Sequence, residues 1–246
     1  MDRMLYIAMS GARQLTRAQA LVANNLANAN TAGFRADQLA LEARPVYGPG
    51  QPARVYVQAQ GVGFDAGAGA LTSTGRDLDV AISGAGYIAV QAPDGREAYT
   101  RAGNLQVSAN GQLTTGQGWP VLGNGGPIAL PPTEKLEIGA DGTISGLPTG
   151  GDATTLAVLD RIKLVAPDPR TLTKTEQGLL RPSDGSTAAA AAGVTLVSGQ
   201  LESSNVNAVE QMTAMIGYAR QYEMQIKMMT VARDDADRSA ELMRLG

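Results

Sequence analysis

The last forty-odd residues constrain this chain most. The positions Ala208, Met212, Met215, Ala219, Tyr222, Ile226, Met229, Arg233, Ala236, Ala240 and Met243 alternate steps of four and three without a slip. That spacing is the seam of a long helix built to pack on another helix. No Gly or Pro falls between Gly217 and Gly246, and Asn207 followed by Glu210 has the form of a capping box that opens the helix.

A seam requires a partner. The other sustained pattern of this kind lies at the opposite end of the chain, in Leu5, Ala8, Ala12, Leu15, Gln19, Val22, Leu26 and Ala29. The two termini are therefore expected to pair. Charge agrees: residues 1–36 carry Arg3, Arg13, Arg17 and Arg35 against Asp2, and the C-terminal helix carries slightly more acid than base. Gln19 and Arg233 interrupt the seams, as polar residues that fix register do. Each buried Leu, Ile or Met contributes roughly 1.5–3 kcal/mol, but many seam positions are Ala, and ordering each residue costs roughly 1–2 kcal/mol. A two-helix hairpin of this content comes out near zero and needs further helices, from other copies or other proteins.

Between the ends the pattern changes. Residues 39–60 place Pro45, Pro49 and Pro52 among Gly48 and Gly50, then Val55-Tyr56-Val57, which reads as an extended arm with at most short strands. From about residue 77 to 197 the period is two. Pro93-Asp94-Gly95, Asn110-Gly111 and Asp141-Gly142 separate short apolar runs, and such dipeptides supply the positive φ of primed hairpin turns. Later strands are expected at residues 156–159, 162–165 and 194–197. Residues 183–193, with five consecutive Ala, read as a surface loop. The fold class is then α+β and multi-segment: N- and C-terminal helices pair as a coiled-coil-like domain, with an all-β, hairpin-rich domain inserted. The expected divisions are residues 1–34 for the first helix, 35–76 for an extended connector, 77–198 for the β domain and 199–246 for the last helix.

Composition removes most chemistry. Neither Cys nor His occurs, so there is no Ser-His-Asp triad, Cys-His pair, disulfide or zinc site of usual ligands. No cofactor, metal or catalytic residue is expected. A net charge of −3 without a basic stripe argues against nucleic acid, and no apolar stretch reaches the length of a membrane span. Asp2 and Arg3 lead into an amphipathic segment rather than a cleavable signal, which fits a cytoplasmic protein or one exported without a removable signal.

Apparent sites dissolve on inspection. Gly84-Ala85-Gly86-Tyr87-Ile88-Ala89 matches a dinucleotide pattern, which needs a helix after the turn, but a strand and the residue 93–95 turn follow. Asp77 and Asp79 would lie on one face of a strand, as acid-base carboxylates do, yet nothing else converges on them. Asp234, Asp235 and Asp237 alternate with Arg233 and Arg238 as a solvated face. Met212, Met215, Met224, Met228, Met229 and Met243 concentrate in the last helix, which suits both core filling and an adaptable docking surface.

Residues 24–34, with Asn24, Asn25, Leu26, Asn28, Thr31, Gly33 and Phe34, resemble the NNLAN-x-x-T-x-GF segment of bacterial flagellar rod, hook and hook-associated proteins. Leu201, Glu202, Ser204, Asn205 and Val206 resemble the segment that opens the C-terminal helix of that family. Residues 99–104, 121–123 and 127–128 resemble its middle domain, although Leu105 stands where the family often has Phe and residues 39–60 match poorly. Length and residues 1–11 are most similar to proximal rod members, with distal rod and hook-type axial members as the alternative. A carboxylate-using β-domain enzyme is the remote one.

The resemblance implies a non-enzymatic subunit of the flagellar basal body, exported through the flagellar type III apparatus and assembled in the periplasm-spanning rod. Its implied partners are other rod subunits, proximal and distal, copies of itself and the export apparatus, with no nucleic acid and no direct membrane insertion. The implied subunit contacts run along the helix seams: Leu5, Ala12, Leu15, Val22, Leu26, Met212, Met215, Ala219, Tyr222, Ile226 and Met229.

Overall fold

Two long helices and many short antiparallel strands make the chain α+β. The computed structural model describes residues 3–45, 55–148 and 156–244. Met1 and Asp2, Pro49 and Pro52 of the expected connector, and Gly246 lie outside the described residues. The chain parts into two units: a helical unit of Met1–Ala27, Asp37–Gly63 and Asn207–Gly246, and a β unit of Asn28–Ala36 and Phe64–Val206. The sequence reading places those divisions elsewhere, at 34/35 and 198/199. It follows the helix patterns, whereas the units follow where residues 28–36 and 199–206 make their bonds.

The helical unit holds α1, Arg3–Ala27, and α2, Ala208–Leu242, which pack on each other. Asn207 caps α2, its side chain accepting from Val209 N at 3.1 Å and Glu210 N at 3.3 Å. Asn25 Nδ2 donates to Gln211 Oε1 at 3.3 Å. A Cβ on Gly11 would stand 3.2 Å from the Gln225 amide carbon. Both helices advance by the same number of residues between these contacts, in opposite directions, so they run antiparallel in step. At about 1.5 Å per residue, the 35 residues of α2 outrun the 25 of α1, and the last turns of α2 have no α1 opposite them.

The buried stripe of α1 is Ala8, Ala12, Leu15, Ala18, Val22 and Asn25, and α2 buries Ala232. This corrects the expected seam. Gln19 and Leu26 are half-buried beside Ala18 and Asn25, and Arg233 is exposed beside Ala232. On α2 the residues that meet α1, Gln211, Gln225 and Ala232, each stand one place before a position of the written seam, so the offset is present from the first turn.

The same unit contains β1, Asp37–Pro45, paired with β2, Val55–Phe64. Strands of nine and ten residues replace the expected arm with at most short ones. Pro45 falls at the last residue of β1, where a missing N–H is tolerated, and Pro49 and Pro52 lie outside the described residues.

In the β unit a five-stranded sheet runs in the order Leu164–Val165, Tyr87–Gln91, Glu97–Thr100, Leu180–Pro182, Leu172–Lys174. A three-stranded sheet joins Thr133–Ile138, Thr143–Pro148 and Ala157–Arg161. Val80, Ile88, Val90, Leu105, Leu113, Val121, Ile128, Ile144 and Ile162 are buried together between these elements. The returning chain closes the unit: Thr195–Ser198 pairs with Val80–Ser83, and Gln200–Glu202 pairs with Leu71–Ser73.

The turns expected to be primed are of another kind. In residues 108–112, Gly111 N donates to Ser108 O at 2.9 Å and Ser108 N to Gln112 O at 2.8 Å. The same two bonds recur in residues 92–96, 115–119, 139–143 and 175–179. Each is a type I turn followed by a left-handed glycine in a bulge. A type I′ turn requires positive φ before the glycine as well, and no non-glycine residue among those described has one.

Candidate functional site

The residues that the sequence reading joined into one family motif meet in the β unit around a buried carboxylate. Strand pairing of Gln200–Glu202 turns Glu202 inward, where it is 1% exposed. Arg35, 3% exposed, donates from Nη2 to Glu202 Oε1 at 2.7 Å, and Gly69 N donates to the same oxygen at 2.8 Å. Arg101, 6% exposed, donates from Nη1 to Glu202 Oε2 at 2.8 Å. Its remaining nitrogens donate to Gly86 O at 2.8 Å and Gly84 O at 2.5 Å, so the glycines that mimicked a dinucleotide loop instead supply carbonyls to a guanidinium.

Burial pushes the Glu202 carboxyl up, but the hydrogen bonds from Arg101 and Gly69 and the Arg35 charge outweigh it, holding Glu202 below the usual glutamate range. Nε and Nη1 of Arg35 are buried with no hydrogen-bond partner among the described residues, so the two arginines are unequal.

The motif residues build this centre. Thr31 Oγ1 donates to Asn28 Oδ1 at 3.1 Å and Thr31 N to Asn28 O at 3.1 Å, turning the chain after α1. Gly33 follows at φ +68°, donates its N–H to Glu202 O at 2.8 Å, and lies so close to Arg101 that a Cβ would stand 2.2 Å from the Arg101 carbonyl carbon. Only glycine satisfies both demands. Phe34 lies under Lys174, whose Nζ is 3.7 Å from the ring centroid and donates to Arg35 O at 2.7 Å. Asn205 accepts from Ala36 N at 2.7 Å and donates to Asp65 O at 3.1 Å and Gly67 O at 2.9 Å, tying three segments with one amide. Ser204 Oγ accepts from Val206 N, and Leu201 is half-buried in its strand.

Within the helical unit, Asn25 exchanges bonds with the Asp37 backbone, at 3.0 Å as donor and 2.8 Å as acceptor. Asn24 is exposed and Leu26 half-buried.

The seam residues divide. Ala12, Leu15 and Val22 are buried between the helices, and Met215, Ala219 and Met229 are half-buried. Leu5, Met212, Tyr222 and Ile226 are exposed. Around α2 at 100° per residue, Val209, Met212, Ile216, Met224 and Val231 fall on the side away from Gln211, Gln225 and Ala232, interspersed with Arg220, Glu223 and Lys227, and all five are exposed. The sequence reading missed Arg35, Gly69, Arg101 and Lys174 as a group.

Asp77 lies in an exposed turn, while Asp79 is buried and pairs with Arg76 at 3.6 Å, so the two carboxylates do not share a strand face. Among the described residues no cluster of three or more acids is arranged for a metal, and no helix is long and apolar enough to cross a membrane.

Three family descriptions match along the chain: "Flagella basal body rod protein" at residues 5–35, "Flagellar hook protein FlgE/F/G D1 domain" at 81–146 and "Flagellar basal body rod FlgEFG protein C-terminal" at 197–242. The chain is 44% identical to the flagellar basal-body rod protein FlgF of Salmonella typhimurium, covering 100% of both chains. This chain belongs to the flagellar basal-body rod family. FlgF of Escherichia coli is likewise 44% identical over 100% of both chains, and the rod protein FlgG of Bacillus subtilis is 31% identical over 99% of this chain and 100% of its own. This FlgF-like rod protein is a structural component in motility and not an enzyme. The matched end segments contain both halves of the Glu202 centre, Arg35 in one and Glu202 in the other.

Proposed function

We propose that this rod protein polymerises through α1 and α2 into the torque-transmitting shaft of the proximal rod, with copies of itself and other proximal and distal rod subunits as neighbours. The large apolar side chains exposed on the side of α2 away from α1 carry this reading, although Arg220, Glu223 and Lys227 stand among them. Exposed Val209, Met212, Ile216, Met224 and Val231 there, with Leu5 and Met9 on α1, leave a surface that further helices would cover in coiled-coil-like packing. Contacts of a different face on each partner extend a helical assembly wherever the rotation between subunits does not close.

The ends of the β unit are held by the Glu202 centre, and the basal body is reached through the flagellar export apparatus. The 44% identity to the FlgF proteins of Salmonella typhimurium and Escherichia coli, against 31% to the FlgG of Bacillus subtilis, supports the proximal assignment over the distal one. A side-chain-resolution map of the assembled rod tests the proposal. It should place Ile216 and Met224 against helices of neighbouring subunits, and finding both facing solvent would overturn it.

A further inference from the structure

All nine methionines of the chain lie outside residues 10–211, so the β core contains none. On α2, Met212 and Met224 are 52% and 55% exposed and Met228 is 39% exposed, while Met215 and Met229 are half-buried. Cysteine is absent, so methionine supplies all the sulfur an oxidant can meet, and Met4, Met9 and Met243 are exposed outside α2. Oxidation turns a flexible apolar side chain into a polar sulfoxide, disrupting methionine-rich interfaces, and reductases specific for each epimer reverse it.

We propose that Met212 and Met224 form an oxidant-sensitive modification site, where a peroxide converts the thioethers of the free chain to sulfoxides and so blocks docking of α2 on neighbouring subunits. Each sulfur takes one oxygen atom as the O–O bond breaks. The sulfur is oxidised by two electrons, and hydrogen peroxide is reduced to water. The inference rests on the reading that neighbours cover this side of α2; once covered, the sulfurs are closed to oxidant. The sensitive window is therefore before incorporation.

The test treats the purified full chain with hydrogen peroxide, follows each methionine by peptide mass spectrometry, and measures association with other rod subunits by sedimentation. Met212 and Met224 should oxidise several-fold faster than Met215 and Met229; equal rates would overturn the site. The oxidised chain should keep its helical circular dichroism and associate about tenfold more weakly, with recovery after treatment by both methionine sulfoxide reductases. Ile216→Asp, on the same side of α2, separates the two ideas. If that variant loses association while the oxidised chain keeps it, the redox inference fails and the docking reading stands. If neither is weakened, both fail.

Discussion

In the β unit the large apolar side chains from Val80 to Leu196 bury one another, whereas among the described residues of α2 only Ala232 is buried and Val209, Met212, Ile216, Met224 and Val231 stand open. The two units therefore gain stability in different ways. Strand pairing brings residues distant in sequence face to face, so each buried Val, Ile or Leu contributes its roughly 1.5–3 kcal/mol within one molecule. A pair of helices offers only one side of each to the other, and here that side is lined largely by alanine. The buried charges follow the same division: Arg35, Arg101 and Glu202 can be enclosed because the β unit surrounds them on every side.

The largest effect that would break this contrast is expected at its most enclosed group. Glu202→Gln leaves two buried guanidiniums without a counter-charge and should cost about 3–5 kcal/mol, read as a lowered denaturation midpoint of the β unit. An unchanged midpoint would mean the centre is not closed in solution. Acid probes the same group more gently. Because the folded Glu202 titrates below its ordinary value, its stabilisation is complete above the model-peptide value of 4.5 and is lost as pH falls through the folded value. Unfolding followed by β-unit Trp119 fluorescence should thus be insensitive to this group at neutral pH and ease only in acid, a dependence that Glu202→Gln should reduce.

Gly33→Ala comes next, at about 1–3 kcal/mol for the left-handed backbone alone, with the approach to Arg101 adding to it; thermal unfolding reads the sum. Asn207→Ala removes the α2 cap and should cost about 1 kcal/mol, visible as faster amide exchange in the first turn of α2 and none in the β unit. The smallest stability effect sharpens the contrast most. Ile216→Asp should change the free chain by no more than about 0.5 kcal/mol while abolishing swimming in soft agar, since its side chain has nothing to lose until a neighbour arrives.

Legibility followed the range of the interactions. The existence of both helices, the Asn207 cap and the places where strands turn were readable, because capping and turn chemistry act within a few residues. The turn type was not, since Asn110-Gly111 and Asp141-Gly142 serve both primed turns and bulged type I turns, and the flanking bond pattern chooses between them. The length of β1 and β2 was hidden by prolines that read as a connector.

The chain's own order of residues determined that its ends would be helical, its centre would be strands, and its motif residues would matter together. Why they matter was decided by tertiary structure alone. Arg35 and Glu202 are 167 positions apart, and Gly33 touches Arg101, contacts that no local pattern encodes because they exist only once strand pairing has returned residues 200–202 beside residues 71–73. The same holds for α2: its repeat announced a packing helix, but only the placement of α1 along one side revealed which methionines were left facing out.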